Sequence, residues 1–356
     1  MSVKLRNGVM KENLIQYIIC PKCNKDFSLK IIKMKSTEII EGILICKKRH
    51  RFPIKKGIPR LVVDKEKVFV QTEDSFSSKW RNYYKTYHTK KWIESQKKWF
   101  LERFGWINDK KLREFLKTRS MILDAGTGVG NSAKLFSSNP KSQVFAIDAS
   151  ESVDFAYKKY GTSKNIHFLQ ADIRKLPFKK KFFDFICSDQ VLHHTKDTES
   201  SFKGLTKLLN KNGMISIYVY KIKGPMREFT DDYIRQTTVK MSEKECMKFS
   251  NDMAELGKSL SKINKKITIT NDIPLLKIKA GTYDVQRFIY WNFIKCWWSK
   301  DVPFEQSVAT NYDWYFPEYA YRHSPIEVKT WFKDSKLSII HFNEIESGIS
   351  ISGSLK

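Results

Sequence analysis

Cysteine is scarce in this chain of 356 residues, and the six present are too few for a disulfide-stapled scaffold. Cys187, Cys246 and Cys296 have no partner at a meaningful spacing and read as reduced thiols. Long apolar runs are missing too: no stretch of about 18 uninterrupted hydrophobic residues occurs, so no membrane span is expected. The segment Met1 to Lys11 lacks the apolar stretch and small-residue cleavage site of a secretory signal, so a cytoplasmic location is the expectation. Acidic residues are short relative to basic ones, 38 against 65, leaving a formal charge of +27. Such a charge admits RNA as a partner through phosphate neutralisation. Arginine, the better residue for bidentate phosphate or base contacts, is sparse, and lysine is spread along the chain, as in Lys179, Lys180 and Lys181 or Lys265 and Lys266. Composition bias therefore explains the charge at least as well as an RNA surface. No internal repeat is visible, and nothing in the sequence fixes an oligomeric state.

The length suits one sizeable core with a smaller appended unit. Residues 10 to 19 read as a short amphipathic helix leading to Cys20. Two β-branched runs follow, Phe27 to Lys33 and Glu38 to Cys46, and Gly57-Ile58-Pro59 supplies a closing turn. The charged stretch Asp64 to Lys67 is a candidate linker. From about Ser75 to Lys117, Trp92, Trp99, Phe100 and Phe104 recur at helical spacing, which predicts helices whose aromatic stripe is buried core. From Met121 short apolar runs alternate with amphipathic helices: MILDAG, QVFAIDAS, NIHFLQAD, FFDFICSDQ and GMISIYVY. That alternation predicts an α/β fold with a parallel sheet covered on both faces. Between about Lys223 and Tyr312 a long, largely helical insertion interrupts it. Ser324-Pro325-Ile326-Glu327 then predicts a capped helix start, and LSIIHF and GISISGSL the two final strands.

Within ILDAGTGVGN a strand ends at Asp124 and a glycine loop, Gly126, Gly128 and Gly130, leads into a helix near Asn131. Glycines there permit a tight turn and let a ligand approach main-chain NH groups. Asn131 stands where a dinucleotide fingerprint needs its third glycine, which disfavours a pyrophosphate cradle. The second strand ends in Asp148, placed to accept hydrogen bonds from both ribose hydroxyls of a nucleoside, and the third in Ala171-Asp172. Each aspartate alone could be a helix cap. Three at successive strand ends point instead to a nucleoside site at the carboxyl edge of the sheet.

These motifs resemble the class I S-adenosylmethionine (SAM)-dependent methyltransferases, particularly the group that includes quinone-biosynthesis C-methyltransferases, over residues 119–222 and again over 313–354. The resemblance implies a Rossmann-like seven-stranded sheet with its last strand antiparallel. It implies that Asp124, Ala125, Gly126, Thr127, Gly128 and Gly130 surround the methionine part of SAM, that Asp148 with Ala149 holds the ribose, and that Asp172 with Ile173 meets the adenine. In the fourth strand, FDFICSDQVLHHT, it carries over Asp189, Gln190 and His193 as lining residues.

Cys20 and Cys23, then Cys46 and His50, form two pairs at zinc-knuckle spacing. Three thiolates and one imidazole close a tetrahedron, which describes a structural Zn2+ site. A lone CxxC could be a redox motif, but no thioredoxin-like βαβ pattern accompanies this one. The following RFPIKKGIPRLV resembles the end of the zinc ribbons fused to certain methyltransferases, including a ribosomal RNA guanine methyltransferase. The organisation expected is a zinc-ribbon module over 1–66, a helical segment over 67–118, the SAM-binding core over 119–222, a helical lid over 223–312 and the returning sheet over 313–356.

Transfer from a sulfonium is an in-line displacement in which the protein mainly positions the nucleophile and excludes water. Asp189, His193 and His194 are the candidates for a general base, against the simpler possibility that the histidines cap and pack. In DWYFPEYAYRH, residues 313–323, Tyr315, Tyr319 and His323 are the candidates to face the acceptor beneath a lid; the alternative is that they pack the insertion onto the sheet. The expected acceptor is a small molecule or biosynthetic intermediate. The alternatives are a ribosomal RNA or tRNA base methyltransferase and a non-catalytic subunit of the same fold. The complete glycine loop and Asp148 argue against the last.

Overall fold

The computed structural model describes residues 10–35, 38–63 and 66–355. Part of the linker assigned to Asp64 to Lys67, and most of the N-terminal segment, lie outside them. The chain opens with β1 (Met10–Lys11) and a 3-10 turn over Glu12–Gln16, where a single amphipathic helix was expected. The reason is that Met10 and Lys11 pair with Ile39 and Glu38 across a sheet. That sheet comprises β1, β2 (Phe27–Lys35), β3 (Glu38–Cys46), β4 (Arg51–Lys55) and β5 (Ile58–Pro59), with β3 central.

Three helices follow: α1 (Lys67–Tyr87), α2 (Lys90–Arg103) and α3 (Asp109–Lys117). Then come β6 (Met121–Ala125), α4 (Asn131–Phe136), β7 (Gln143–Asp148), α5 (Ser152–Tyr160), β8 (Ile166–Gln170), β9 (Phe183–Asp189), α6 (Thr198–Thr206) and β10 (Leu209–Tyr220). The insertion contains α7 (Pro225–Thr238), α8 (Glu243–Lys262), a hairpin of β11 (Lys266–Ile269) and β12 (Gly281–Asp284), α9 (Val285–Asn292) and α10 (Phe304–Tyr315). The hairpin was not expected from the sequence. The chain returns through α11 (Pro325–Asp334), β13 (Leu337–Glu344) and β14 (Gly348–Leu355).

The seven-stranded sheet has the order β13-β14-β10-β9-β6-β7-β8. The pairs β10–β9, β6–β9, β6–β7 and β7–β8 are parallel, and β14 runs antiparallel to both its neighbours, as expected. Leu123, Phe145, Leu169, Ile186 and Ile217 are buried on one face, Ile122, Val144, Phe168 and Phe185 on the other. A strand covered on both faces reads as an unbroken apolar run, which is why these strands were legible. Ser324 accepts from the Glu327 amide while Glu327 accepts in return, so the predicted capping box starts α11.

The small N-terminal sheet docks against β8, whose outer side would otherwise be an open edge. The Leu61 amide donates to the Gln170 carbonyl at 2.7 Å, and Arg60 grips Asp154 through both terminal nitrogens at 2.7 Å. Lys11 Nζ donates to the carbonyls of Ser163 and Ile166. One hydrophobic cluster runs from Leu14, Ile18, Phe52 and Leu61 into Phe145, Leu169 and Phe178. On the opposite face Phe100 of α2, Phe104 just after it, and Leu112 and Leu116 of α3 pack on Ile122 and Phe185, so that part of the aromatic stripe is core. Among the described residues no helix is long and apolar enough to cross a membrane.

Candidate active site

The carboxyl edge of the sheet carries the glycine loop. Gly126, Gly128 and Gly130 all have positive φ, at 90°, 53° and 84°. The amides of Gly126 and Thr127 both donate to the Ile147 carbonyl, which pins the loop to β7. A Cβ at Gly126 would lie 2.2 Å from the Val191 side chain, so only glycine fits there. Asp124 is buried beneath the loop and accepts from Thr127 Oγ1 at 2.6 Å and Ser132 Oγ at 2.7 Å. Burial raises its pKa to about 6 despite those two donors.

Asp148 closes β7 and accepts from the Gly128 amide at 2.9 Å and from the Ser150 amide and hydroxyl at 2.9 and 2.6 Å. Asp172 lies two residues past β8, is buried, and is paired with Arg174, whose guanidinium also lies 4.1 Å from the Phe69 ring centroid. Ala149, Ile173 and Gln190 sit on the same edge; the Ala149 carbonyl accepts from Gln170 Nε2, Ile173 is buried, and Gln190 is exposed in a left-handed conformation at φ 64°.

α1 crosses this edge, and the sequence reading gave it no role here. Trp80 lies so close to Gly128 that an added Cβ would meet its ring at 3.2 Å. The Ser77 hydroxyl accepts from the Glu151 amide, and His88 contacts the Val129 carbonyl at 3.0 Å. Glu73, from the same helix, has its carboxyl pushed up to about 8, first by burial and then by Asp74, Asp148, Asp172 and Glu151. No spacing rule flags Glu73, because apart from Asp74 its charged neighbours come from the end of β7, the loop after it and the segment after β8.

Beyond the glycine loop, β9, β10 and the insertion enclose a set of buried polar groups. His193 is fully buried and stacks on Tyr220 with ring centroids 3.7 Å apart. Neither of its ring nitrogens has a hydrogen-bond partner among the described residues. Burial, His194, His323 and Lys223 hold its pKa well below the ordinary histidine value, so the ring is neutral near pH 7. His194 Nδ1 lies 2.6 Å from the Tyr319 carbonyl, and burial lowers its pKa to about 3. Asp189 pairs with Arg103, whose guanidinium sits 3.6 Å from the Trp99 ring centroid and 5.0 Å from that of Tyr218. Asp189 Oδ1 and Arg103 Nε and Nη1 have no hydrogen-bond partner among the described residues. Asp313 pairs with Lys79 of α1, and Lys295 lies 5.1 Å from the Trp314 ring centroid with its pKa lowered to about 7, chiefly by burial.

Arg103 was missed although a signal existed: it lies at helical spacing from Trp99 and Phe100, on an otherwise aromatic face. Of the three acceptor-facing candidates, Tyr315 is fully buried, donates to the Lys295 carbonyl at 2.8 Å and packs edge-on to Phe249 of α8. His323 contacts Glu327 through Nδ1 at 2.8 Å and Thr198 through Nε2 at 3.0 Å. Tyr319 is stacked with Tyr321 and meets His194 through its carbonyl.

A second constellation lies in the N-terminal sheet. The ligand atoms of Cys20, Cys23, Cys46 and His50 are all within 4.8 Å of one another. Cys20 Sγ and Cys46 Sγ stand 3.5 and 3.4 Å from His50 Nδ1, and Cys23 Sγ is 3.5 Å from Cys46 Sγ. Tetrahedral bonds to zinc of about 2.3 Å for sulfur and 2.0 Å for nitrogen give edges of about 3.5–3.8 Å, so the cluster fits that ion. Each knuckle turns through a left-handed residue, Asn24 at φ 57° and Arg49 at φ 60°.

Comparison with known proteins bears on the large sheet. The malonyl-[acyl-carrier protein] O-methyltransferase of Legionella pneumophila is 33% identical over 96 residues, covering 26% of this chain and 34% of that protein. A ubiquinone/menaquinone biosynthesis C-methyltransferase of Vibrio cholerae is 25% identical over 130 residues, covering 34% and 50%. The chain thus spans about a third to a half of the length of these curated relatives. Among solved structures, the magnesium protoporphyrin IX methyltransferase of Synechocystis with bound SAM aligns over 83% of this chain and 100% of that one, at 12% identity and a TM-score of 0.42. Residues 123–217, from β6 to β10 and including the glycine loop, Asp148, Asp172 and the histidine pair, match the family model of the methyltransferase domain.

Proposed function

We propose that this chain is a SAM-dependent methyltransferase acting on an oxygen, nitrogen or carbon nucleophile of a small molecule or biosynthetic intermediate, with a structural zinc in its N-terminal module. The observation that carries the reading is the glycine loop set between Asp124 and Asp148, with Asp172 at the next strand end. SAM when bound supplies an electrophilic methyl on a sulfonium. Residues 124–130 hold its amino-acid end, Asp148 and Ala149 the ribose, and Asp172 and Ile173 the adenine, with Gln190 at the mouth of the site. α1 excludes water from above through Trp80 and its neighbours.

The acceptor then lies against β9 and β10. A neutral His193 with two unpartnered nitrogens suits a group that takes a proton from the acceptor. His194, oriented by the Tyr319 carbonyl, supports it, and Asp189 acts with Arg103 as a fixed polar wall. Tyr319 contributes through His194, whereas Tyr315 and His323 hold the insertion and α11 in place. Incubating the protein with methyl-labelled SAM and cell extract, with and without ribonuclease, tests this reading. Label in small molecules that survives ribonuclease is expected; label confined to RNA would overturn the acceptor assignment.

A further inference from the structure

α7 has its polarity turned inside out. Its inward face buries Arg227, Asp231, Arg235 and Thr238. Arg227 donates to Asp231 at 2.6 Å, and Arg235 donates to the carbonyls of Pro317 and Glu318. Its outward face carries Met226, Phe229 and Tyr233, spaced by three and four residues and so on one side of the helix. Phe229 is 71% exposed and Tyr233 67%, their rings roughly parallel with centroids 6.5 Å apart. The turn Pro274–Leu276, between β11 and β12, packs beside the start of α7, where Gly224 lies against the Leu276 carbonyl. That turn adds Leu275, 84% exposed, and the half-covered Ile273. A helix that buries two arginines and an aspartate and shows aromatic rings is nearly the reverse of a solvent-facing one, and a clustered apolar surface of this kind marks an interaction site.

The surrounding charge selects the partner. Lys277 in the same turn is exposed, as are Lys240 just past the end of α7, Lys262 at the end of α8, and Lys265 and Lys266 at the start of the hairpin. Of the acidic groups close by, Glu228 and Asp232 share Arg322, and Asp272 pairs with Lys279. A second copy of the chain would bring another +27 of like charge to this surface. RNA would suit the lysines but has no use for aliphatic Met226, Ile273 and Leu275. We infer that the outward face of α7 and the 273–275 turn form a docking surface for an anionic lipid bilayer, apolar side chains entering the headgroup boundary and lysines meeting the lipid charge. The inference is independent of methyl transfer and is tested without SAM.

The test is co-sedimentation of the full chain with vesicles of phosphatidylcholine alone and of phosphatidylcholine containing phosphatidylglycerol. Binding to the anionic vesicles is expected, weakening as salt rises. The double variant Phe229→Ser, Leu275→Ser should lose about tenfold or more in vesicle affinity while its melting temperature stays unchanged, since both side chains are exposed. Ile107→Ser, an equally exposed site in the loop between α2 and α3, should bind like the parent. The proposal is overturned if phosphatidylglycerol vesicles are not bound. Binding unaffected by the double variant overturns it too, as does a double variant that instead loses self-association or RNA binding.

Discussion

Glu73 and Asp148 face the same cleft in opposite electrostatic situations. Asp148 is supplied with an amide from the glycine loop and two donors from Ser150, whereas Glu73 is half-buried among other carboxylates. With its pKa raised from 4.5 to about 8, Glu73 keeps its proton in the folded chain after the unfolded chain has released it. The unfolded state therefore binds fewer protons between those values, and stability falls as pH rises through that window. Glu73→Gln, which cannot ionise, should melt higher than the parent at pH 8 and close to it at pH 4.5, as thermal scans without ligand would show. Equal melting temperatures at both values would mean that Glu73 is solvated. Asp148→Ala should weaken SAM binding by about 1.5 to 3 kcal/mol, the scale of hydrogen bonds to a charged group. Titration calorimetry giving the parent affinity would detach Asp148 from the cofactor.

Elements were legible from the sequence to different degrees, for identifiable reasons. β6 to β9 announced themselves because strands buried on both faces leave continuous apolar runs. The start of α1 did not: Glu66 offers it no side-chain cap, and Lys67 is no stop or start signal. The β11–β12 hairpin was hidden because each strand is only four residues long, too short for the alternation of Ile267 and Ile269 with polar neighbours to stand out. The ion pairs Arg103–Asp189 and Lys79–Asp313 join residues 86 and 234 positions apart, a separation over which local pattern carries no information. The cluster of Cys20, Cys23, Cys46 and His50 was legible because each of its two pairs is local in sequence. Chelation, or Cys46→Ser, should unfold the N-terminal sheet and with it the Leu61–Gln170 pairing. Hydrogen exchange should then show lost protection along β8, while β9 and β10 keep theirs. Protection unchanged along β8 after metal removal would mean that the thiols organise the sheet without an ion.

For the molecule as a whole, buried neutral histidines set the response to acid. His167, stacked on Phe145 and 2.8 Å from Gln143, has its pKa lowered to about 3 by burial and by Lys11, and His193 and His194 are lowered as well. All three stay neutral in the fold while the unfolded chain takes up protons below about pH 6.5. Stability should therefore drop as pH falls from 7 to 5, at up to about 1.4 kcal/mol per pH unit for each such histidine. Urea midpoints across that range measure it. His167→Phe should flatten the slope; an unaltered slope would place the acid sensitivity elsewhere.

The position of β14 has a consequence for how the chain reaches this state. β13 precedes it in sequence yet touches the sheet only through it, since β14 lies between β10 and β13. During synthesis β13 and the helix before it therefore wait, half-assembled, for a strand that follows them. The opposite edge makes the reverse demand, because the N-terminal sheet emerges early and must wait about a hundred residues for the Gln170 backbone it pairs with. Such long-range closures slow folding and prolong the exposure of unpaired strand edges. Deleting residues 348–355 should thus strand two elements rather than one, and the product should be found in the aggregate rather than the supernatant.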